Sequence, residues 1–99
     1  MTRWSAESVE RLAAIEAHVA VDNPSAAERL VARLIERADG VSQHPLMGRR
    51  VAEATADEAL REVVEGNYRI IYRVAPDGGV EVVTVFEAHL GFERARRRR

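Results

Sequence analysis

The chain contains no cysteine and no lysine. The first absence excludes disulfides, thiol nucleophiles and cysteine-ligated metals. The second means that all fifteen cationic side chains are arginine. Arginine keeps its proton near neutral pH, so it supplies charge and donors but not the general base or amine nucleophile that a buried lysine can become. Aromatic residues make up only 5% of the chain, so the core must be mostly aliphatic. No apolar run approaches the ~18 residues of a membrane span. The N-terminus shows no signal-peptide pattern, which makes a cytoplasmic protein without a membrane partner the expectation. No phosphate-cradling glycine loop, His-Glu-x-x-His pair or Ser-His-Asp spacing is present. The three histidines, His18, His44 and His89, fall on three different elements. No metal and no cofactor are expected from such a set.

What the 99 residues do contain is enough for one domain, which at this size buries roughly 60–65% of the surface of its unfolded chain. The stretch Arg61-Glu-Val-Val-Glu-Gly-Asn-Tyr-Arg-Ile-Ile-Tyr-Arg-Val74 is its centre. Leu60 to Val64 and Tyr68 to Val74 predict two strands, with Glu65-Gly66-Asn67 as the turn between them. In the second strand, Tyr68, Ile70, Tyr72 and Val74 alternate with Arg69, Ile71 and Arg73, so one face is apolar and the other carries two guanidiniums. Arg61 is expected to add a third. Ala75-Pro-Asp-Gly-Gly79 predicts another hairpin turn. Val80 to Phe86 follows as a strand, with Val83 and Val85 on one side and Val82, Thr84 and Phe86 on the other. Its apolar character on both sides places it inside a sheet.

The first half reads as helical. Ser5 is placed to cap a helix, with Glu7 in the first turn complementing its dipole. Val9, Leu12, Ile15 and Val19 then form an apolar stripe. Asp22-Asn23-Pro24 ends that helix and starts another, with Asn23 as cap and Pro24 at the first helical position. The second stripe comprises Ala27, Leu30, Val31, Leu34, Ile35, Ala38 and Val41, wide enough to cover a sheet and a neighbouring helix. Met1 to Trp4 reads as an optional edge strand, and residues 51–59 as strand, loop or short helix. Helices segregated from strands imply an α+β fold of order β-α-α-β-β-β, with an N-terminal helical hairpin on one face of a twisted antiparallel sheet. It occupies residues 1–93 as a single domain.

The candidate functional residues are Arg49 and Arg50 after His44-Pro45-Leu46-Met47-Gly48, then Arg61, Arg69 and Arg73 on the strands, and His89 beyond the last one. Together they could grip a phosphodiester or dock a carboxylate-rich protein segment. Alternatively, Arg61, Arg69 and Arg73 could be spent on ion pairs with Glu62, Glu81 and Glu87 across the sheet, each exposed pair contributing only ~0–1 kcal/mol.

Several segments, taken in order, resemble one family. They are Trp4 before the first helix, Asp22-Asn23-Pro24-x-Ala26-Ala27, His44-Pro45-Leu46-Met47-Gly48-Arg49, Arg61-Glu62-Val63-Val64, Tyr68-Arg69-Ile70-Ile71-Tyr72-Arg73-Val74 and Val85-Phe86-Glu87-Ala88-His89. The ordered set is similar to the ParE toxins of the RelE/ParE superfamily of bacterial type II toxin–antitoxin systems. The resemblance implies a small cognate antitoxin, ParD-like or similar, as partner. It also implies one of two activities. RelE-like members cleave messenger RNA on the ribosome without a metal, using basic residues for proton transfer and charge stabilisation. ParE-like members act on DNA gyrase, meeting nucleic acid only through that enzyme or the antitoxin, and catalyse no reaction of their own.

Arg69 matches the arginine that the nucleases carry on the central strand, so a nuclease built here would use Arg61, Arg69 and His89. Leu60 and Glu62, however, stand where those nucleases carry lysines, and no tyrosine follows Tyr72 near the C-terminus. This favours a gyrase inhibitor. A member that binds only its antitoxin is the third reading, and Leu90, where many relatives place an arginine, bears on potency.

Charge is distributed unevenly. Ten arginines against sixteen acids leave −6 over residues 1–93, and the last six residues add five arginines. Such a tail is expected to be disordered, because the charges repel and bury nothing. It reads either as an arm for a polyanion or as a solubilising extension. Deleting residues 94–99 separates the two: an arm loses a steep salt dependence of binding, whereas a solubilising extension leaves binding and its salt dependence unchanged.

Overall fold

The structure of the chain, a computed structural model, describes residues 1–52, 54 and 59–89. The arginine tail and Leu90 lie outside the described residues, as do most of residues 51–59. Along the chain run β1 (Thr2–Trp4), α1 (Ala6–Ala20), α2 (Pro24–Val41), β2 (Arg49–Arg50), β3 (Arg61–Glu65), β4 (Tyr68–Val74) and β5 (Val80–Glu87). The strands form one sheet of order β1-β5-β4-β3-β2. The α+β architecture and the helical hairpin on one sheet face are as the sequence predicts. No helix among the described residues is long and apolar enough to cross a membrane.

Both helices begin where their capping residues stand. Ser5 accepts a hydrogen bond from the Ser8 amide, and the Asn23 side chain accepts one from Ala26, with Pro24 opening α2. Leu12, Ile15 and Val19 of the predicted α1 stripe pack against the core, and only its first position differs. Ser8 is fully buried, whereas Val9 is 54% exposed. A buried serine is tolerable here because its hydroxyl donates to the Ser5 carbonyl at 2.8 Å. In α2, Leu30, Leu34, Ala38 and Val41 face inward and Ile35 turns out to solvent.

The sheet departs from the expected all-antiparallel pattern at two places. β1 is a true strand, and it pairs parallel to β5, with Trp4 opposite Val82. A parallel pair needs a long crossover, which the intervening chain supplies. The second departure is a register shift within the β4–β5 ladder. Ile71 pairs with Thr84 but Tyr72 pairs with Val82, so Val83 is an extra residue. A bulge of this kind reverses the alternation beyond it. Val82 and Val85 therefore share the helix-facing side, in place of the predicted pairing of Val83 with Val85. Ser5 secures the bulge, its hydroxyl donating to the Val83 carbonyl at 2.8 Å while it caps α1.

Two apolar clusters result. The larger lies under the helices, where Leu30, Leu34, Ala38 and Val41 meet Val63, Ile70, Tyr72, Val80, Val82 and Val85. The smaller, Val51, Leu60, Ile71 and Phe86, lies on the opposite side of the sheet. That face is therefore not simply solvated.

The loop from α2 to β2 is tied into the larger cluster by Tyr72. The buried phenol donates to the Pro45 carbonyl at 2.7 Å and accepts from the Gly48 amide at 2.9 Å. Burial pushes the Tyr72 pKa up, opposed by the Gly48 hydrogen bond and by nearby Arg61 and Arg37. Gly48 packs so closely that a Cβ would sit 2.5 Å from the Tyr72 hydroxyl and 2.7 Å from the Glu62 carbonyl. Gly48→Ala should therefore destabilise the fold by about 1–3 kcal/mol, the usual cost of forced overpacking. Gly40, in α2 with nothing within 4 Å of its missing Cβ, predicts the opposite sign. Gly40→Ala should stabilise by up to about 1 kcal/mol through helix propensity. Thermal unfolding of the two variants beside the parent checks both.

Candidate functional site

The pairing of β3 with β4 settles where each arginine goes. The Gly66–Asn67 turn sets Glu65 opposite Tyr68, and each step back along β3 meets a step forward along β4. Glu62 thus opposes Ile71, and Val64 opposes Arg69. Both lie on the sheet face away from the helices, with Arg69 diagonal to Glu62. The carboxylate is 2% exposed and receives the guanidinium through two bonds, Nε to Oε1 at 2.6 Å and Nη2 to Oε2 at 2.7 Å. This bidentate fork is the strongest geometry available to the pair. The Arg69 guanidinium also lies 5.1 Å from the centroid of the Phe86 ring, within cation–π range.

Arg49 reaches the same carboxylate from the edge, 3.3 Å from Glu62 Oε2, while remaining 79% exposed. Arg73 is exposed and bonds to Glu81 at 2.7 Å. Among the described residues, Arg49, Arg69 and Arg73 on this face thus meet Glu62 and Glu81, and Arg3, in register with Glu81, meets Asp77. Of the two readings of the arginine alternation, the described ion pairs follow the one in which Arg69 and Arg73 are spent on Glu62 and Glu81 across the sheet.

Arg61 is not part of that face. It opposes Tyr72, so it lies on the helix side, as does Arg50, which pairs with Arg61 in β2. The expected set of three strand arginines on one face is corrected to two. The Arg61 guanidinium donates to the Gly48 carbonyl at 2.8 Å and the Leu46 carbonyl at 3.3 Å. His89 is exposed beyond β5, and its Nδ1 lies 3.2 Å from a Glu87 carboxylate oxygen. Glu87 opposes Tyr68, which places it on the helix side as well. The structure therefore brings Arg49 and Arg69 together on Glu62, sets Arg73 on the same face against Glu81, and leaves Arg50 and Arg61 on the helix side and His89 beside Glu87.

Two roles were missed from sequence. Tyr72 anchors the loop, and Phe86 covers Arg69. A tyrosine alternating with Ile70 on a buried face was the available signal for the first, since a buried phenol requires a polar partner. No cluster of three or more metal-ligating side chains occurs among the described residues.

The comparisons with known proteins agree with this architecture. The family profile for the ParE toxin of the type II toxin–antitoxin system parDE matches residues 2–89. The chain belongs to the ParE toxin family. A curated relative, Y4kP, a candidate toxin of Sinorhizobium fredii, is 36% identical over 89 residues, covering 88% of this chain and 86% of that one. Among solved structures, the chromosomal ParDE system of P. aeruginosa matches with a TM-score of 0.71 at 19% identity, over 87% of this chain and 92% of that chain. The RelBE2 toxin–antitoxin complex of Mycobacterium tuberculosis matches with a TM-score of 0.63 at 21% identity, over 88% and 95%. At these identities the two structures share the fold, and the fold alone spans both ParDE and RelBE systems.

The buried pair makes a stability prediction specific to this ParE-family toxin. Glu62→Ala leaves Arg69 buried without its carboxylate, which should cost about 3–5 kcal/mol. Arg73→Ala, at an exposed pair, should cost no more than ~1 kcal/mol. Replacing both buried partners, Glu62→Leu with Arg69→Met, should recover most of the loss. Urea denaturation of the three variants measures this; equal losses for Glu62→Ala and Arg73→Ala would be inconsistent with the burial described.

Proposed function

We propose that this toxin inhibits DNA gyrase, acts in the cytoplasm, and is neutralised by a small cognate antitoxin. The observation that carries the target is the closed Glu62–Arg69 pair. A metal-free nuclease needs a guanidinium free to meet a developing phosphorane, together with groups that move two protons, each worth roughly 10²–10⁴-fold. In this chain the Arg69 donors Nε and Nη2 are already bound to a carboxylate, and Phe86 covers its face. The carboxylate would repel a phosphate approaching the same point. His89, the one histidine among the candidate residues, is exposed beyond β5 with its Nδ1 3.2 Å from a Glu87 carboxylate oxygen. Binding to a protein target requires none of these proton-moving groups, only a stable surface.

The antitoxin part of the proposal is supported by family membership and by the solved relatives, which come from ParDE and RelBE toxin–antitoxin systems. An antitoxin segment that folds on binding would lie along the helical hairpin and reach the exposed Arg50 on the same side of the sheet. The experiment sets a gyrase supercoiling and cleavage-complex assay beside ribosome-dependent mRNA cleavage, each with and without the co-expressed antitoxin. Gyrase inhibition with intact mRNA is expected, relieved by the antitoxin. Codon-positioned mRNA cuts that disappear in Arg69→Ala, with gyrase unaffected, would assign the nuclease activity instead.

A further inference from the structure

The loop between α2 and β2 combines two properties that rarely coincide. Its tip is apolar and exposed, with Leu46 at 69% and Met47 at 49%. Its backbone is held from inside. The Pro45 carbonyl and Gly48 amide both bond to the buried Tyr72 hydroxyl, and the Leu46 and Gly48 carbonyls both accept from Arg61. The Met47 amide adds a bond to the His44 carbonyl at 3.0 Å. Gly48 is packed against Tyr72 and the β3 backbone with no room for a side chain. Scattered exposed apolar residues are normal on any surface. An apolar pair on a loop fixed by buried partners differs, because little chain freedom remains to be lost when it is covered.

We propose that the Leu46–Met47 tip is the docking element for the toxin's protein target, inserting into a preformed apolar notch rimmed by carboxylates. The proposal rests on the reading of this protein as an inhibitor of gyrase. Charge complementarity fixes the rim. Arg49 and Arg50 follow the tip after Gly48 and both are exposed, Arg49 at 79% even while it lies 3.3 Å from Glu62. Each could meet a carboxylate at the edge of the notch while the apolar side chains fill its centre, the arrangement usual at binding hot spots. Methionine adapts its shape to such a pocket at small cost.

The exposed side chains and internally bonded backbone of the tip argue for a large folded receptor rather than an antitoxin. A segment that folds on binding is itself the adaptable partner, and it suits grooves and strand edges on its host. A rigid tip needs a concavity that already exists, as a folded enzyme provides.

The test uses the full-length toxin with Leu46→Ser and Met47→Ser together, leaving Tyr72, Arg61 and Gly48 in place. Both side chains are exposed, so thermal unfolding should match the parent. Gyrase inhibition should weaken by at least about tenfold, in the range of a hot-spot truncation. Antitoxin pull-down should be unchanged. Val21→Ser, at an 83% exposed apolar residue of the helical turn, serves as control and should inhibit like the parent.

Unchanged inhibition by the double variant would overturn the proposal, as would an equal loss in Val21→Ser. Loss of antitoxin binding with inhibition intact would also overturn it, assigning the tip to the antitoxin. Growth arrest is scored in parallel. A parent that arrests growth without touching gyrase overturns the choice of target. In that case the tip still stands as a docking element if the double variant grows, and falls if it does not.

Discussion

A carboxylate 2% exposed to solvent is the constraint to which much of this sheet is adjusted. Ions taken out of water lose several kcal/mol of solvation each, and only a close, well-aligned partner offsets that. Glu62 finds its partner at the diagonal position of the neighbouring strand, so the bond forms only if β3 and β4 are in their observed register. A one-residue slip of β3 would carry Glu62 to the helix-facing side, among Ile70, Tyr72 and Val85 and away from the Arg69 fork. The pair therefore acts less as a source of stability than as a penalty on the wrong pairing. It also fixes the character of the outer face, where Arg69 is held flat near Phe86 and turned inward.

On the other side of the same two strands, Tyr72 and Arg61 have a different task. Their side chains point towards the helices, but both end on carbonyls of the loop that leaves α2. The central hairpin thus positions a surface loop through its buried face while its outer face pairs Arg69 and Arg73 with Glu62 and Glu81. A polar atom buried under the helices would be costly without partners, and the loop backbone supplies them. Gly48 is needed for this contact because it leaves room for the phenol. No unusual backbone angle is required of it.

The helices were legible because their signals are local. Ser5, and Asn23 before Pro24, mark where hydrogen-bonding partners are missing, and the structure starts its helices there. Leu12, Ile15 and Val19 of α1 face the core as read, and only the first turn differs, where hydrophobicity favours Val9 while geometry buries Ser8. Nothing in residue polarity reveals that the Ser8 hydroxyl finds the Ser5 carbonyl. The bulge at Val83 was equally invisible, because strict alternation has no place for an extra residue. Its cause lies 78 residues away, in a serine hydroxyl that holds the Val83 carbonyl. The placement of Arg61 is a different kind of error. Taking Glu65-Gly66-Asn67 as the turn leaves the register open, whereas a two-residue Gly66–Asn67 turn fixes it. Gly66 has φ of +57°, the left-handed conformation that such tight turns demand. From that turn, Arg61 opposite Tyr72 and Glu62 diagonal to Arg69 both follow by counting.

The same counting shows how one strand position can divide chemistry on a shared scaffold. ParDE and RelBE systems both superpose on this chain, so the path of the backbone does not choose an activity. Position 62 faces Arg69 closely enough for two hydrogen bonds. A cation at that position would place two like charges within a few ångströms, at an unfavourable energy of the order of several kcal/mol for a partly screened pair. Such a pair is relieved by an anion from outside, which makes the face a receptor for phosphate. A carboxylate at the same position supplies the anion from within. With Glu62 in place, the attraction of Arg69 for an external phosphate is reduced by a bond it already holds, and an incoming nucleic acid would have to displace a buried, covalently tethered competitor. On the proposed reading, recognition of a partner falls to exposed side chains such as Leu46 and Met47 at the loop tip and Arg49, which stays 79% exposed while it meets Glu62.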